Sequence, residues 1–203
     1  AFEKQMSETE FRLYTVNIET KQEKEIPLPE IQRAYFPRFS ADGKRLSCHF
    51  IAPGSSFLLG IADIADPDAF AVVPFSVGAN QHCCFANWTP DGKALVFAMG
   101  LTEAKYDIYR ALSESAETPT SIMNGPGLDY LNTYSPEGTR LKYSSWPLYP
   151  AVINASVKVS FLNKEGLVEN TVTVVKGGFY PAWSSDGKRI AFSKDGDIWV
   201  VEA

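Results

Sequence analysis

The sequence predicts an all-β fold assembled from one four-stranded antiparallel unit that recurs about four times, and three observations lead to this prediction. First, a short phrase returns along the chain: an aromatic residue, serine or threonine, two turn residues, glycine and a polar residue. Second, apolar and polar residues alternate after each copy with the period of a strand. Third, the glycines of the phrase recur every ~48 residues, a period typical of repeated supersecondary units. They are Gly43, Gly92, Gly138 and Gly187.

Each copy of the phrase predicts a hairpin between the first and second strands of its unit. In three copies an Asp-Gly pair supplies the positive φ that a tight turn requires. The third copy has Glu137 before Gly138, and glycine still adopts this torsion. Apolar residues at the third and fifth positions after each glycine indicate a half-buried strand. The copies occupy residues 39–44, 88–93, 134–139 and 183–188.

A second hairpin follows in each unit and completes a four-stranded antiparallel sheet. The predicted third strands are 57–62, 106–110, 157–161 and 197–201, and the predicted fourth strands are 70–73, 120–123 and 171–174. No segment has the length and period of a long helix. Four-stranded units at this spacing are typical of β-propeller blades. We therefore predict a β-propeller of about four blades, with residues 1–203 as a single domain or a propeller fragment.

The repeat resembles that of the TolB-type β-propeller family. The segment 183–192 with 197–201 carries the resemblance most clearly, and the copies at Trp88, Phe39 and Tyr134 follow in that order. The resemblance implies a non-enzymatic binding or scaffold propeller in the periplasm or another extracytoplasmic compartment. Such repeats also occur beside the catalytic domains of prolyl-oligopeptidase-like serine peptidases and in oligogalacturonate lyases. The alternative function is therefore the propeller portion of a larger enzyme, where it gates or binds substrate.

The strands at the two ends of the chain leave the closure of the ring open. Residues 11–18 and 25–28 have the pattern of third and fourth strands, whereas residues 183–203 supply first, second and third strands. The N-terminal pair could complete the last blade, with one third-type strand in surplus. We keep a partial or dimer-completed propeller and a small closed ring as alternatives. The chain begins at Ala1, which we expect to reflect a removed secretory signal or an artificial boundary.

Composition excludes several classes of function. The hydrophobic share of 45% supports a packed core, and the net charge of −5 with no basic cluster disfavours nucleic-acid binding. No stretch is suited to cross a bilayer as a helix, so membrane insertion is not expected. Three cysteines cannot form a complete disulfide framework.

Candidate chemical groups are scarce, and each has a structural explanation. His82-Cys83-Cys84 could bind metal or supply a nucleophile, but adjacent strand residues point to opposite faces. Cys84 and Cys48 occupy repeat positions that are aromatic elsewhere, which indicates burial. His49 is expected to be a surface or interface residue. We predict no catalytic residue, no metal site and no cofactor.

Function is expected on the face where the loops between blades gather around the axis. Tyrosine and tryptophan at loop tips often carry the energy of partner binding. Residues 145–150 depart most from the repeat, so Trp146 and Tyr149 are the best candidates for contact with a protein or peptide. The predicted partner-binding residues are Arg33, Tyr35, Asn80, His82, Asp129, Tyr130, Trp146, Tyr149 and Tyr180.

Overall fold

Every regular element in the described part of the molecule is a β-strand, which confirms the all-β class. The computed structural model describes residues 1–8, 10–27, 33–51, 57–66, 71–72, 82–102, 105–114, 117–125, 127–147 and 155–203. Among these residues, no helix is long and apolar enough to span a membrane.

The strands form three complete blades between two partial ones. The N-terminal partial blade has β1 (Phe2–Gln5), β2 (Phe11–Val16) and β3 (Glu23–Ile26). The first blade has β4 (Arg33–Phe39), β5 (Arg45–Ile51), β6 (Phe57–Asp63) and β7 (Ala71–Val72). The second blade has β8 (His82–Trp88), β9 (Ala94–Thr102), β10 (Lys105–Leu112) and β11 (Thr120–Met123). The third blade has β12 (Leu128–Tyr134), β13 (Arg140–Trp146), β14 (Ser156–Leu162) and β15 (Val168–Lys176). The C-terminal partial blade has β16 (Phe179–Trp183), β17 (Arg189–Lys194) and β18 (Asp197–Glu202).

Sequential strands pair antiparallel within each blade. In the first blade the strand order is β4-β5-β6-β7, and Leu46 of β5 lies opposite Ala62 of β6. The second and third blades are joined by one parallel pairing, between Tyr106 of β10 and Leu128 of β12. This meander order is the one that the repeat predicts.

The repeated phrase is explained by the hydrogen bonds of its turn. In the first blade the Ser40 hydroxyl donates to the Asp42 carboxylate at 2.6 Å and accepts from the backbone N–H of Arg45 at 2.9 Å. The same carboxylate accepts from the backbone N–H of Lys44 at 3.1 Å, and Gly43 has a φ of 70°. The hydrogen bond that the Ser40 hydroxyl donates lowers the pKa of the Asp42 carboxyl. Equivalent contacts form at Thr89 and Ser184, so the phrase satisfies the polar groups of its own turn.

Hydrophobic clusters fill the space between successive blades. Leu59 and Ile61 of the first blade pack with Trp88 and Phe97 of the second. Three further clusters occupy the corresponding places between the other neighbouring blades. Each fully buried side chain of this size stabilises the fold by about 1.5–3 kcal/mol. Burial is therefore shared between blades, and each blade depends on its neighbours.

Arginine and tryptophan side chains link neighbouring blades at two of these boundaries. The Arg45 guanidinium lies 4.8 Å from the ring centre of Trp88, and the indole N–H of Trp88 donates to the backbone carbonyl of Arg38 at 3.0 Å. Arg140 lies 4.8 Å from the ring centre of Trp183 in the same way. The arginine thus covers the aromatic residue of the next copy of the phrase.

The two ends of the chain differ from the sequence prediction. An additional strand, β1, pairs with β2 through Phe2 and Tyr14, so the N-terminal unit has three strands. The sheets β1-β2-β3 and β16-β17-β18 are separate, with no hydrogen-bonded pairing between them among the described residues. The N-terminal strands form a sheet of their own, and β1 and β2 pack against β4 of the first blade, so they do not complete the last blade. The described architecture is a partial propeller.

The outer face of β18 is apolar and exposed. Ile198 is 76% exposed and Val200 is 61% exposed. Their counterparts in the third blade, Val157 and Val159, are buried against Ile190 of the C-terminal partial blade. The exposed pair thus occupies positions that another blade covers elsewhere in the molecule.

Candidate binding pocket between the inner strands

The first strand of each blade contains a bulge at the same repeat position. Its residue has a positive φ although it is not glycine: 51° at Phe36, 55° at Phe85, 60° at Leu131 and 52° at Tyr180. The strand register shifts at each of these points. A bulge turns the side chain away from the sheet direction, and such residues are over-represented next to functional sites. The four bulged residues belong to the innermost strands β4, β8, β12 and β16.

The four bulges surround a cavity of about 400 Å³. The rings of Phe36 and Phe85 lie 5.1 Å apart, which brings the first and second blades together at its wall. Tyr180 is 63% exposed on the opposite blade. The lining residues are Phe36, Arg38, Phe85, Ala86, Asn87, Leu131, Thr133, Lys142, Tyr180, Pro181, Ala182 and Trp183. The wall is therefore mainly aromatic and apolar, with a few polar groups, as in many ligand sites.

Lys142 is the most unusual residue of this pocket because its side chain is buried. It is 5% exposed, and its ammonium group donates to the backbone carbonyls of Leu131, at 3.5 Å, and of Pro181. Burial, together with the nearby charge of Arg38, lowers the pKa of Lys142 to about 7. Lys142 therefore changes its charge near neutral pH.

Among the residues that the structure describes, no carboxylate lines the pocket. Arg38, the second cation, is exposed, and one of its guanidinium nitrogens donates to the carbonyl of Pro37 at 3.2 Å. The ion pairs found among the described residues include neither Arg38 nor Lys142. The pocket thus has a positive potential in a chain whose net charge is −5.

The side chains of Asn87 and Trp183, which also line the pocket, are held by hydrogen bonds to backbone carbonyls. The amide of Asn87 donates to the backbone carbonyl of Asn132 at 2.7 Å, which ties the second blade to the third. The indole N–H of Trp183 donates to the carbonyl of Thr133 at 3.1 Å. These contacts hold the inner strands in place, so the pocket is preformed.

Several predicted partner-binding residues lie on or near these inner strands. Tyr180 lines the pocket, and Tyr130 stacks between Phe85, at 5.5 Å, and Trp146, at 4.4 Å between ring centres. Tyr35 adjoins the bulged Phe36, with ring centres 6.1 Å apart.

Other predicted residues cannot be placed in the site. Arg33 begins β4 and His82 begins β8, but their side chains lie outside the described part of the molecule. Asn80 and Tyr149 lie outside the described residues altogether.

Asp129 and Trp146 do not lie at exposed loop tips, and this part of the prediction is wrong. Trp146 is the last residue of β13, is 7% exposed and packs with Leu128 and Ala155. Asp129 is 3% exposed within β12, and burial raises the pKa of its carboxyl. The strands extend further towards the loop face than the repeat pattern indicates, so both side chains become part of the packing behind the site.

His49, Cys48 and Cys83 lie in the packing between and within blades. The Nε2 atom of His49 accepts the backbone N–H of Ala86 at 2.9 Å across the boundary between blades, which confirms an interface position. Burial lowers the pKa of His49 to about 4, so the ring is neutral at pH 7. Desolvation raises the pKa of Cys48 and of Cys83 to about 12 and also raises that of Cys84. These thiols hold their protons. Cys48 is buried as predicted, whereas Cys84 is only half-buried and its neighbour Cys83 is the fully buried one.

Sequence reasoning missed Lys142, Arg38 and the bulged phenylalanines. The sequence did contain one sign of Lys142. The third copy of the repeat has Lys142 at the position where the other copies have Ser47, Val96 and Ala191. A lysine at a position otherwise filled by small or apolar residues departs from the pattern.

Comparison with known proteins reveals similarity of structure. No protein-family model and no curated protein sequence matches the chain. Among solved structures, TolB from Acinetobacter baumannii superposes on 98% of the chain with a TM-score of 0.76 and 17% sequence identity. The chain has a TolB-like β-propeller fold. It spans 48% of that TolB chain, about half its length.

Enzymes share the same TolB-like fold in part of their chains. A puromycin-hydrolyzing peptidase from Mycobacterium tuberculosis matches 96% of this chain with a TM-score of 0.73 and 16% identity, over 34% of its own length. An oligogalacturonate lyase in complex with manganese matches 94% of this chain with a TM-score of 0.70 and 19% identity, over 53% of its own length. At these identities the likeness concerns the fold, and propellers of this kind support several functions.

Proposed function

We propose that this TolB-like chain is a non-enzymatic binding module that holds a protein or peptide partner at the pocket between its inner strands. The observation that carries the proposal is the preformed cavity of about 400 Å³ with exposed aromatic side chains at its wall. Phe36 is 45% exposed and Tyr180 is 63% exposed. Large exposed aromatic residues next to a concave site are favourable contacts for a partner.

Charge supports the choice of a partner with an acidic segment. Arg38 and Lys142 line the pocket, and none of its described lining residues is a carboxylate. A complementary charge on the partner would favour association and fix its orientation. The neutral His49 and the protonated cysteines serve packing between blades, which fits a binding role.

An alternative function is the propeller portion of a larger enzyme. This chain spans only 34% of the peptidase and 53% of the lyase that it resembles. In that case the pocket would bind part of the substrate while another segment performed the chemistry. A continuous reading frame with a hydrolase or lyase segment beside this region would favour the enzyme, whereas its absence would favour the binding module.

We also propose that the protein works in an extracytoplasmic compartment, as the likeness to TolB suggests. Cell fractionation of the natural gene product would test this proposal. Recovery of the protein in the periplasmic or extracellular fraction would support it, and recovery in the cytoplasm would contradict it.

Selection from a displayed peptide library tests the binding function. Tyr180→Ser removes an exposed ring from the pocket, so selected peptides should bind this variant at least about tenfold more weakly. The matched control is Ile18→Ser, because Ile18 is 77% exposed on the distant N-terminal partial blade. Failure to enrich any peptide, or equal affinity for both variants, would contradict the proposal.

A further inference from the structure

The pocket contains two cations, and no acid in the described part of the chain pairs with either of them. Lys142 contributes from β13 of the third blade, and Arg38 contributes from β4 of the first. Lys142 donates to two backbone carbonyls and Arg38 to one, that of its neighbour Pro37. The described ion pairs of the chain lie elsewhere. Burial of an unpaired charge is unfavourable, and buried charges in proteins normally have a counter-ion.

The repeat itself does not require a cation at this point. Ser47, Val96 and Ala191 occupy the position of Lys142 in the other copies, and all four copies form the same strand. Asn87, Thr133 and Ala182 likewise occupy the position of Arg38. Both cations are therefore additions to the fold that face one cavity. Lys142 is buried and lies near the like charge of Arg38, and such a group in a concave site is a candidate for a binding role.

We infer that the pocket binds a carboxylate group, with Lys142 and Arg38 pairing its oxygens and Tyr180 and Phe36 covering the apolar part of the ligand. This inference rests on the proposed function, since it names the chemistry that the same pocket selects. An ammonium group has three donors, and two backbone carbonyls lie near that of Lys142. A guanidinium group is suited to pair with a carboxylate. The carboxylate could belong to an acidic side chain or to the C-terminus of a peptide.

A bound carboxylate should couple to the protonation of Lys142. Thr133 and Val159 are its strand partners on β12 and β14, and neither titrates. From β16, Pro181 faces it, and Arg38 and Tyr180 are the other charged and titratable side chains of the pocket. An anion favours the charged lysine, so the ligand should bind more tightly at pH 6 than at pH 8.5.

Three tripeptides test the inference by NMR titration and calorimetry. The first tripeptide has a central glutamate followed by tyrosine and is acetylated and amidated, so its carboxylate is the glutamate side chain. The second has glutamine in place of this glutamate and carries no carboxylate. The third also has the glutamine but ends in a free C-terminal carboxylate. We expect the first or the third to bind at least about tenfold more tightly than the second, and the stronger of the two identifies the source of the carboxylate.

Variants then assign the carboxylate to the two cations. Lys142→Met and Arg38→Gln should each weaken binding of the preferred tripeptide about tenfold, whereas Lys164→Met, at an exposed turn, should leave it unchanged. Equal binding of the three tripeptides would overturn the inference. It would also be overturned if Lys142→Met and Arg38→Gln bound the preferred tripeptide as tightly as the natural protein does. If library peptides still depend on Tyr180 in that case, the binding function stands and only the carboxylate assignment fails.

Discussion

Replacement of Lys142 by methionine should stabilise the protein near neutral pH, and the gain should diminish as the pH rises. Burial lowers the pKa of Lys142 from 10.5 to about 7. At about 1.4 kcal/mol per pKa unit, this difference corresponds to roughly 5 kcal/mol of unfavourable free energy for the buried charge. Methionine has a similar length and removes the charge.

The pH window follows from the protons bound in each state. Below pH 7 Lys142 is protonated in both the folded and the unfolded chain, so folding carries the full unfavourable free energy of burying its charge. Between pH 7 and 10.5 the unfolded chain still binds a proton that the folded chain has lost, and the stability of the natural protein rises with pH. The advantage of the methionine variant should shrink over the same range.

Two hydrogen bonds offset part of the gain. The amine of Lys142 donates to the carbonyls of Leu131 and Pro181, and each lost bond costs about 0.5–1.5 kcal/mol. We therefore expect a net stabilisation of about 2–4 kcal/mol at pH 6.5, and a change near zero or slightly unfavourable at pH 10.

Urea unfolding followed by tryptophan fluorescence at pH 6.5, 8 and 10 measures this effect. Lys164→Met is the matched control, because its side chain is exposed and its replacement should change stability by less than about 0.5 kcal/mol at each pH. A stability difference between Lys142→Met and the natural protein that stays constant with pH would refute the reasoning. Destabilisation at pH 6.5 would refute it as well.

Three further predictions concern the blade boundaries. Burial lowers the pKa of His49 from 6.5 to about 4, so stability should fall by about 3 kcal/mol as the pH drops through this range, and acid titration of His49→Gln should lack this loss. Arg140→Met should destabilise the protein by about 1–3 kcal/mol in urea unfolding, because the guanidinium covers the indole of the next blade. The control Arg189→Met, at the exposed equivalent position, should destabilise it by less than about 0.5 kcal/mol. Equal destabilisation by the two variants would contradict the boundary contact. Exposure of Ile198 and Val200 predicts self-association in light scattering as concentration rises, and Ile198→Ser with Val200→Ser should reduce it. A monomer at every concentration would contradict the last prediction.

The turns show what a local pattern can predict. Each phrase satisfies its own polar groups within five residues, as when Ser40 bonds both Asp42 and the backbone of Arg45. Because these contacts are short-range, residue identity and spacing suffice to predict the hairpin and, through its period, the blade. The register of His49 relative to Gly43 predicted a surface or interface residue, and only the structure decided that it lies at the interface between blades.

The bulges show where such a pattern ends. Phe36 and Tyr180 adopt a positive φ although neither is glycine, so their residue types give no sign that the strand contains a bulge. Pairing with β5 and β17 imposes these torsions through a shift of register. The burial of Trp146 was missed for a related reason, since its stacking on Tyr130 depends on how far β13 extends.

The sequence by itself determined the strand type, the repeat and the order of the blades, because each depends on contacts between residues close in the chain. Only the tertiary structure decided that the ends form two separate partial blades and that the inner strands enclose a pocket. It also decided that Lys142 and Arg38 line the same cavity. These two residues lie two blades apart in the chain, and no local spacing relates them. Their common site follows from the arrangement of the blades around the axis. This arrangement buries the charge of Lys142 and leaves both cations without an acidic partner among the described residues.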